Sequence, residues 1–170
     1  MAKRYPLTKA LSKAHLTAIG SFVARWARFE ADIAQATVIV MEMDDIKGRV
    51  VTAELNGNAI ITLLLTALHT RYGHDHADFC RLRTFFSGGD FIKARTFRNK
   101  IVHGTWAEGQ RSKSAWVLAY KARGKLTTPH ENLTAKEIRE QATKADELWQ
   151  EFVRLFKAAQ GTLRKWPRLS

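Results

Sequence analysis

The last third of the chain carries the feature that most restricts its fold. Ile138, Ala142, Ala145, Leu148, Phe152, Leu155 and Ala159 recur at helical steps, the repeat of one face of an α-helix. Just ahead, Thr134 and Glu137 have the spacing of a capping box, in which two orphan backbone amides are satisfied reciprocally. An apolar stripe this long needs other apolar surfaces to cover it, and the chain supplies them. Phe22, Trp26, Phe29, Ile33 and Val40 trace a second stripe, on a helix predicted from about Thr17 to Met43. Asp44 and Asp45 end that pattern and Gly48 punctuates it.

A helical stretch from about Val50 to Leu55 follows, and after Asn56-Gly57-Asn58 it resumes with Ile60, Ile61, Leu64, Leu65 and Leu68 to end at Tyr72-Gly73. Phe79, Leu82, Phe85 and Phe86 mark another helical segment before the break at Ser87-Gly88-Gly89. Asp90 has the chemistry of an N-cap for a helix that runs to about His103 and stops at Gly104. The convincing strand signal is Trp116-Val117-Leu118-Ala119-Tyr120, with a turn at Arg123-Gly124 and a return through Lys125-Leu126-Thr127. The expected fold is all-α, a four- to five-helix bundle with a short β-hairpin before the last helix. Residues 1–170 are expected to form a single domain, with a basic arm over 1–15 and a basic tail over 164–170.

A hydrophobic fraction of 45% and an aromatic fraction of 10% exclude a disordered polypeptide. One cysteine, Cys80, makes no internal disulfide, which suits a reducing compartment. The longest apolar run, Ile60 to Leu68, is too short to span a bilayer. The basic N-terminus lacks the apolar core and cleavage site of a secretion signal. These features describe a cytoplasmic protein without a membrane segment. Lys and Arg number 28 against 16 Asp and Glu, a net charge of +12 that favours polyanions, nucleic acid above all, or an acidic protein.

The segment Arg95-Thr96-Phe97-Arg98-Asn99-Lys100-Ile101-Val102-His103-Gly104-Thr105-Trp106 resembles the HEPN superfamily. That family's signature is an Arg followed by a polar residue, with a His five to seven positions after the Arg. Arg98, Asn99 and His103 match it, and Gly104 with Trp106 resembles a common continuation. Trp26, Phe29 and Glu30 are similar to the family's usual opening helix. The resemblance implies a helical bundle with the motif late in an inner helix, and a homodimer in which two motifs meet. It also implies metal-independent ribonuclease activity, with no cofactor, of the kind found in toxins and antiviral defence. An antitoxin or other regulatory protein would then be a partner. Other members of the family are inactive or bind nucleotides, so a non-catalytic module binding RNA, nucleotide or protein is the alternative.

Beside the resemblance stands the geometry of the segment. On an ideal helix, at about 100° per residue, Ala94, Phe97 and Ile101 share a core face while Arg95, Asn99 and His103 lie roughly opposite. Arg98 then falls about 140° from His103, so one helix is not expected to bring both to one atom. An imidazole at a helix C-terminus can accept a proton from a ribose 2′-hydroxyl or give one to a leaving 5′-oxygen. An Arg fork can hold the phosphate as charge develops, and Asn99 can orient the His or bind the backbone. The expected catalytic residues are therefore Arg98, His103 and Asn99, with Arg95, Lys100 and Lys93 binding substrate. The expected products end in a cyclic phosphate and a 5′-hydroxyl. An Arg and a His at a helix end also serve simply to cap carbonyls.

Other residues carry weaker signals. His74, Asp75, His76, Asp78 and Cys80 cluster without any standard zinc spacing, and a solvated loop with an acidic cap is the simpler reading, so no metal site is expected. Arg81, Arg83, Arg111 and Lys113, against Asp90 and Glu108, either extend a basic RNA-binding surface around the motif or form an ordinary solvated face. Trp106 and Trp116 either stack on bases or pack in the core. Glu30 either faces Arg98 or lies on the surface. Gly-rich phosphate loops, Ser or Cys nucleophile motifs and paired carboxylates are absent from the sequence.

Overall fold

Aromatic residues at helical spacing put their shared face out of water, and in the computed structural model of the protein Phe22, Trp26, Phe29 and Ile33 are all buried along one helix. Residues 11–108, 114–118, 121–122, 126–127 and 130–163 are described. The first ten residues, the expected turn at Arg123-Gly124, the basic residues Arg111 and Lys113, and the tail 164–170 lie outside the described residues.

Six helices occur among the described residues: α1 (Lys13–Val40), α2 (Asp45–Ala53), α3 (Gly57–Tyr72), α4 (Ala77–Ser87), α5 (Gly89–His103) and α6 (Ala135–Leu163). The all-α class is as expected, and the helix count exceeds four to five because caps divide what the apolar pattern runs together. Asp44 caps α2 by accepting from the Lys47 amide, and Asn56 caps α3 by accepting from the Asn58 and Ala59 amides. Helix α1 begins one turn earlier than predicted, so residues 13–15 belong to it rather than to a basic arm. It ends where Glu42 takes a left-handed φ of 53°, with the Met43 amide donating to the Val38 carbonyl. Glycine or asparagine usually fills that position. Here Arg71 supports it, donating to the Val40 carbonyl at 2.9 Å and to Glu42 Oε1 at 2.5 Å.

Among the described residues, five strands lie between α5 and α6: β1 (Thr105–Glu108), β2 (Ser114–Leu118), β3 (Lys121–Ala122), β4 (Leu126–Thr127) and β5 (His130–Thr134). A short hairpin before the last helix is present as the antiparallel pair β3 and β4, but Trp116–Leu118, expected as its first strand, lies in β2 and pairs with β1 and β5 instead. A three-stranded antiparallel sheet, in the order β1-β2-β5, accompanies it, and its outer strands come from segments without a clear strand pattern. Thr105 opposes Leu118 on one side of β2, and Ser114 opposes Thr134 on the other.

The chain divides into two compact units, residues 1–26 with 93–145 and residues 27–92 with 146–170. In the first, Ala18, Phe22, Ala94, Ile101, Val117, Leu133, Ile138 and Ala142 are buried. Phe22 meets Phe97 edge to face at 5.2 Å. His15, 4% exposed, presents Nδ1 to Ser12 Oγ at 2.8 Å and Nε2 to the Leu133 carbonyl at 3.2 Å, which ties the start of α1 to β5. In the second unit a phenylalanine cluster forms the core, with Phe29 and Phe86 each in ring contact with both Phe91 and Phe152. Such pairs add about 0.5–1.5 kcal/mol each beyond the area they bury. Trp149 Nε1 donates to Asp32 at 2.6 Å, and Arg28 lies 3.7 Å over the Trp149 ring while pairing with Asp146. Helix α2 lies close to α1 through Gly48: a Cβ built there would sit 2.5 Å from both γ-methyls of Val38. Gly48 is thus a buried helical residue at a close approach, not the punctuation its sequence suggests.

Candidate functional site

Helix α5 places the motif in its last two turns. Its inner face is the predicted one: Ala94 and Ile101 are buried and Phe97 is half-buried against Phe22. Asn99 and His103 are exposed, and Arg95 and Arg98 are half-buried. Asp90 falls within the first turn rather than at the N-cap, because α5 already begins at Gly89.

Arg98 does more than an ideal helix allows. Its Nη1 lies 3.3 Å from Asn99 Oδ1 and 3.4 Å from His103 Nε2. The long, flexible side chain reaches around the helix, so a single copy brings together the three residues expected to be catalytic. Asn99 is therefore engaged with the arginine. A guanidinium can only donate, so Nε2 is the acceptor and carries the lone pair, and the ring proton of a neutral His103 sits on Nδ1.

The end of α5 is fastened on two sides. The Gly104 amide donates to the Lys100 carbonyl at 2.9 Å. The half-buried Trp106 reaches back from β1, and its Nε1 donates to the Ile101 carbonyl at 3.1 Å. The indole thus satisfies one of the carbonyls that a helix C-terminus leaves without an intrahelical partner. Lys100, expected to bind substrate, forms an ion pair with Glu131 of β5, and its ammonium lies 5.9 Å over the Phe97 ring. Glu131 was not singled out in the sequence; it is 31 residues from Lys100, and only the sheet register brings it there. Lys93 is exposed on the same helix.

The remaining candidates find structural employment. Among the described residues, no group of three or more His, Cys, Asp or Glu is arranged to hold a metal ion. His76 caps α4 by accepting from the Asp78 amide, and its ring stacks on Tyr72 at 4.5 Å. His74 contacts Asp75 and Arg83, and the Cys80 thiol donates to the His74 carbonyl. Arg81 pairs with Asp78. Glu30 lies beside Gly57, so its carboxylate faces the N-terminus of α3, where a negative charge is favoured. The side chain of Trp116 lies outside what is described. No helix among the described residues is long and apolar enough to cross a membrane.

Compared with known proteins, the chain matches no family model, no curated protein and no solved structure.

Proposed function

We propose that the chain is a metal-independent endoribonuclease of HEPN type, acting as a homodimer in a toxin-antitoxin or phage-defence setting. The observation that carries this reading is the convergence of Arg98, Asn99 and His103 at the exposed end of α5. The net charge of +12 supports a polyanionic substrate.

The chemistry follows from the acceptor on Nε2. A phosphodiester held at the Arg98 guanidinium brings its neighbouring 2′-hydroxyl next to Nε2 of His103. The imidazole takes the hydroxyl proton as O2′ attacks phosphorus. The O2′–P bond forms, the P–O5′ bond breaks, and the guanidinium stabilises the extra charge on the phosphoryl oxygens. The leaving 5′-oxygen takes a proton from an imidazolium; in a two-fold dimer with facing motifs the second copy supplies it. The products end in a 2′,3′-cyclic phosphate and a 5′-hydroxyl. The role of Asn99 is to hold the guanidinium of its own chain, through the 3.3 Å contact, while phosphate binds.

Cleavage of labelled RNA by purified protein tests the reading. His103→Ala and Arg98→Ala should each lower the cleavage rate by on the order of 10²-fold or more, with the circular dichroism spectrum retained. Cleavage should survive a chelator, and DNA, which lacks the nucleophile, should stay intact. A protein that binds RNA yet leaves diverse RNAs whole would make the chain a binding module instead.

A further inference from the structure

We infer that Glu131 guards a phosphate-binding position at Lys100. The inference rests on the ribonuclease reading and concerns how RNA enters that same site. Lys100 follows Asn99 directly and shares the last turn of α5 with His103. Its ammonium is fixed from two directions, by the Phe97 ring and by the Glu131 carboxylate. Glu131 does not reach it from a loose loop. Its backbone is held opposite Val117 in the β2–β5 ladder, three residues before the capping box that starts α6.

A carboxylate and a phosphodiester are both oxyanions, and they compete for one ammonium. Side-chain exposures of 26% for Lys100 and 49% for Glu131 leave the pair open to water, where such pairs are weak. A phosphate already anchored at Arg98 therefore displaces Glu131 readily. A polyanion arriving without that anchor must spend part of its attraction on the exchange. In a chain of net charge +12, an acidic side chain at this point lowers the affinity for any polyanion that fails to engage the motif. Glu131 is a specificity-determining residue for RNA at the site.

Fluorescence anisotropy with a short labelled RNA of 2′-O-methyl riboses, which binds but supplies no nucleophile, tests this across a potassium chloride series. Glu131→Gln should tighten binding by up to about fivefold, the scale of an exposed ion pair. It should also steepen the slope of log affinity against log salt by up to about 0.7, one further phosphate on a single strand. In a Lys100→Ala background the same substitution should change neither quantity. Glu131→Ala should behave as Glu131→Gln, since neither alters the backbone pairing of β5. Binding that does not tighten, or that tightens equally without Lys100, overturns the guarding role while leaving the ribonuclease reading intact. A wild-type protein that binds no RNA overturns both.

Discussion

Replacing Gly48 by alanine sets two effects of opposite sign against each other. Alanine is favoured over glycine inside a helix by about 0.8–1.0 kcal/mol. The new methyl would lie 2.5 Å from both γ-methyls of Val38 and 3.1 Å from its Cβ. Ordinary carbon contacts lie at about 3.5–4.0 Å, so something must move by roughly 1 Å. Val38 is only 4% exposed and has no open side to turn to, and rotating χ1 leaves one methyl in the way. Overpacking of this kind costs about 1–3 kcal/mol, so the clash outweighs the propensity and the net loss should be up to about 2 kcal/mol. Val38→Ala removes both offending methyls, and the remaining Cβ contact needs only a slight give. In that background Gly48→Ala should therefore stabilise the protein, by up to about 1 kcal/mol. Urea denaturation followed by circular dichroism reads both differences, with unchanged m confirming that the same surface unfolds. A Gly48→Ala effect of the same sign in the two backgrounds would refute the close approach of α2 to α1.

Thr134→Ala should cost about 1 kcal/mol in the same assay, through loss of the hydroxyl that caps the Glu137 amide. The Thr134 amide and hydroxyl hold the Glu137 carboxyl below the ordinary glutamate range, so this stabilisation is present at neutral pH and lost as pH falls through the depressed value; Glu137→Gln should flatten that acid limb. Tyr72 is 8% exposed, and burial pushes its phenol up to about 12 from the ordinary 10.0. The folded state then keeps a proton that the unfolded chain releases, so stability should decline as pH rises above 10, and Tyr72→Phe should lose that decline while costing about 0.5–1.5 kcal/mol at neutral pH for its 2.8 Å bond to the Ala159 carbonyl.

The sequence was most informative where one side chain's neighbours lie within a turn or two. The capping box at Thr134 and Glu137, the apolar faces of α1 and α6, and the stop at Gly73 all depend on local spacing, and the structure has each of them. Legibility failed where a partner is distant. Glu42 ends α1 in a glycine-like conformation that nothing nearby explains, because Arg71, 29 residues on, supports it. His15 looks like part of a loose basic arm until the Leu133 carbonyl, 118 residues away, appears opposite its ring. The outer strands β1 and β5 are short and carry polar residues, so only their shared pairing with β2 defines them. Within the candidate site the inner face of α5 follows from the helical repeat, whereas the Arg98–His103 contact depends on side-chain reach, which an ideal helical wheel leaves out.

Helix ends are ordinarily the first backbone to open, and a side chain placed there, as His103 is, would be expected to wander. In this chain the Trp106 indole holds the Ile101 carbonyl from a strand that begins two residues after His103. The last turn of α5 can therefore fray only if β1 lifts from β2. Its amides should exchange with solvent at the rate of the β1–β2 ladder, as one cooperative unit, instead of at the faster rate of a free terminus. The fold thereby keeps the imidazole on an exposed rim, where a large ligand can reach it, while giving the backbone beneath it the order of a sheet.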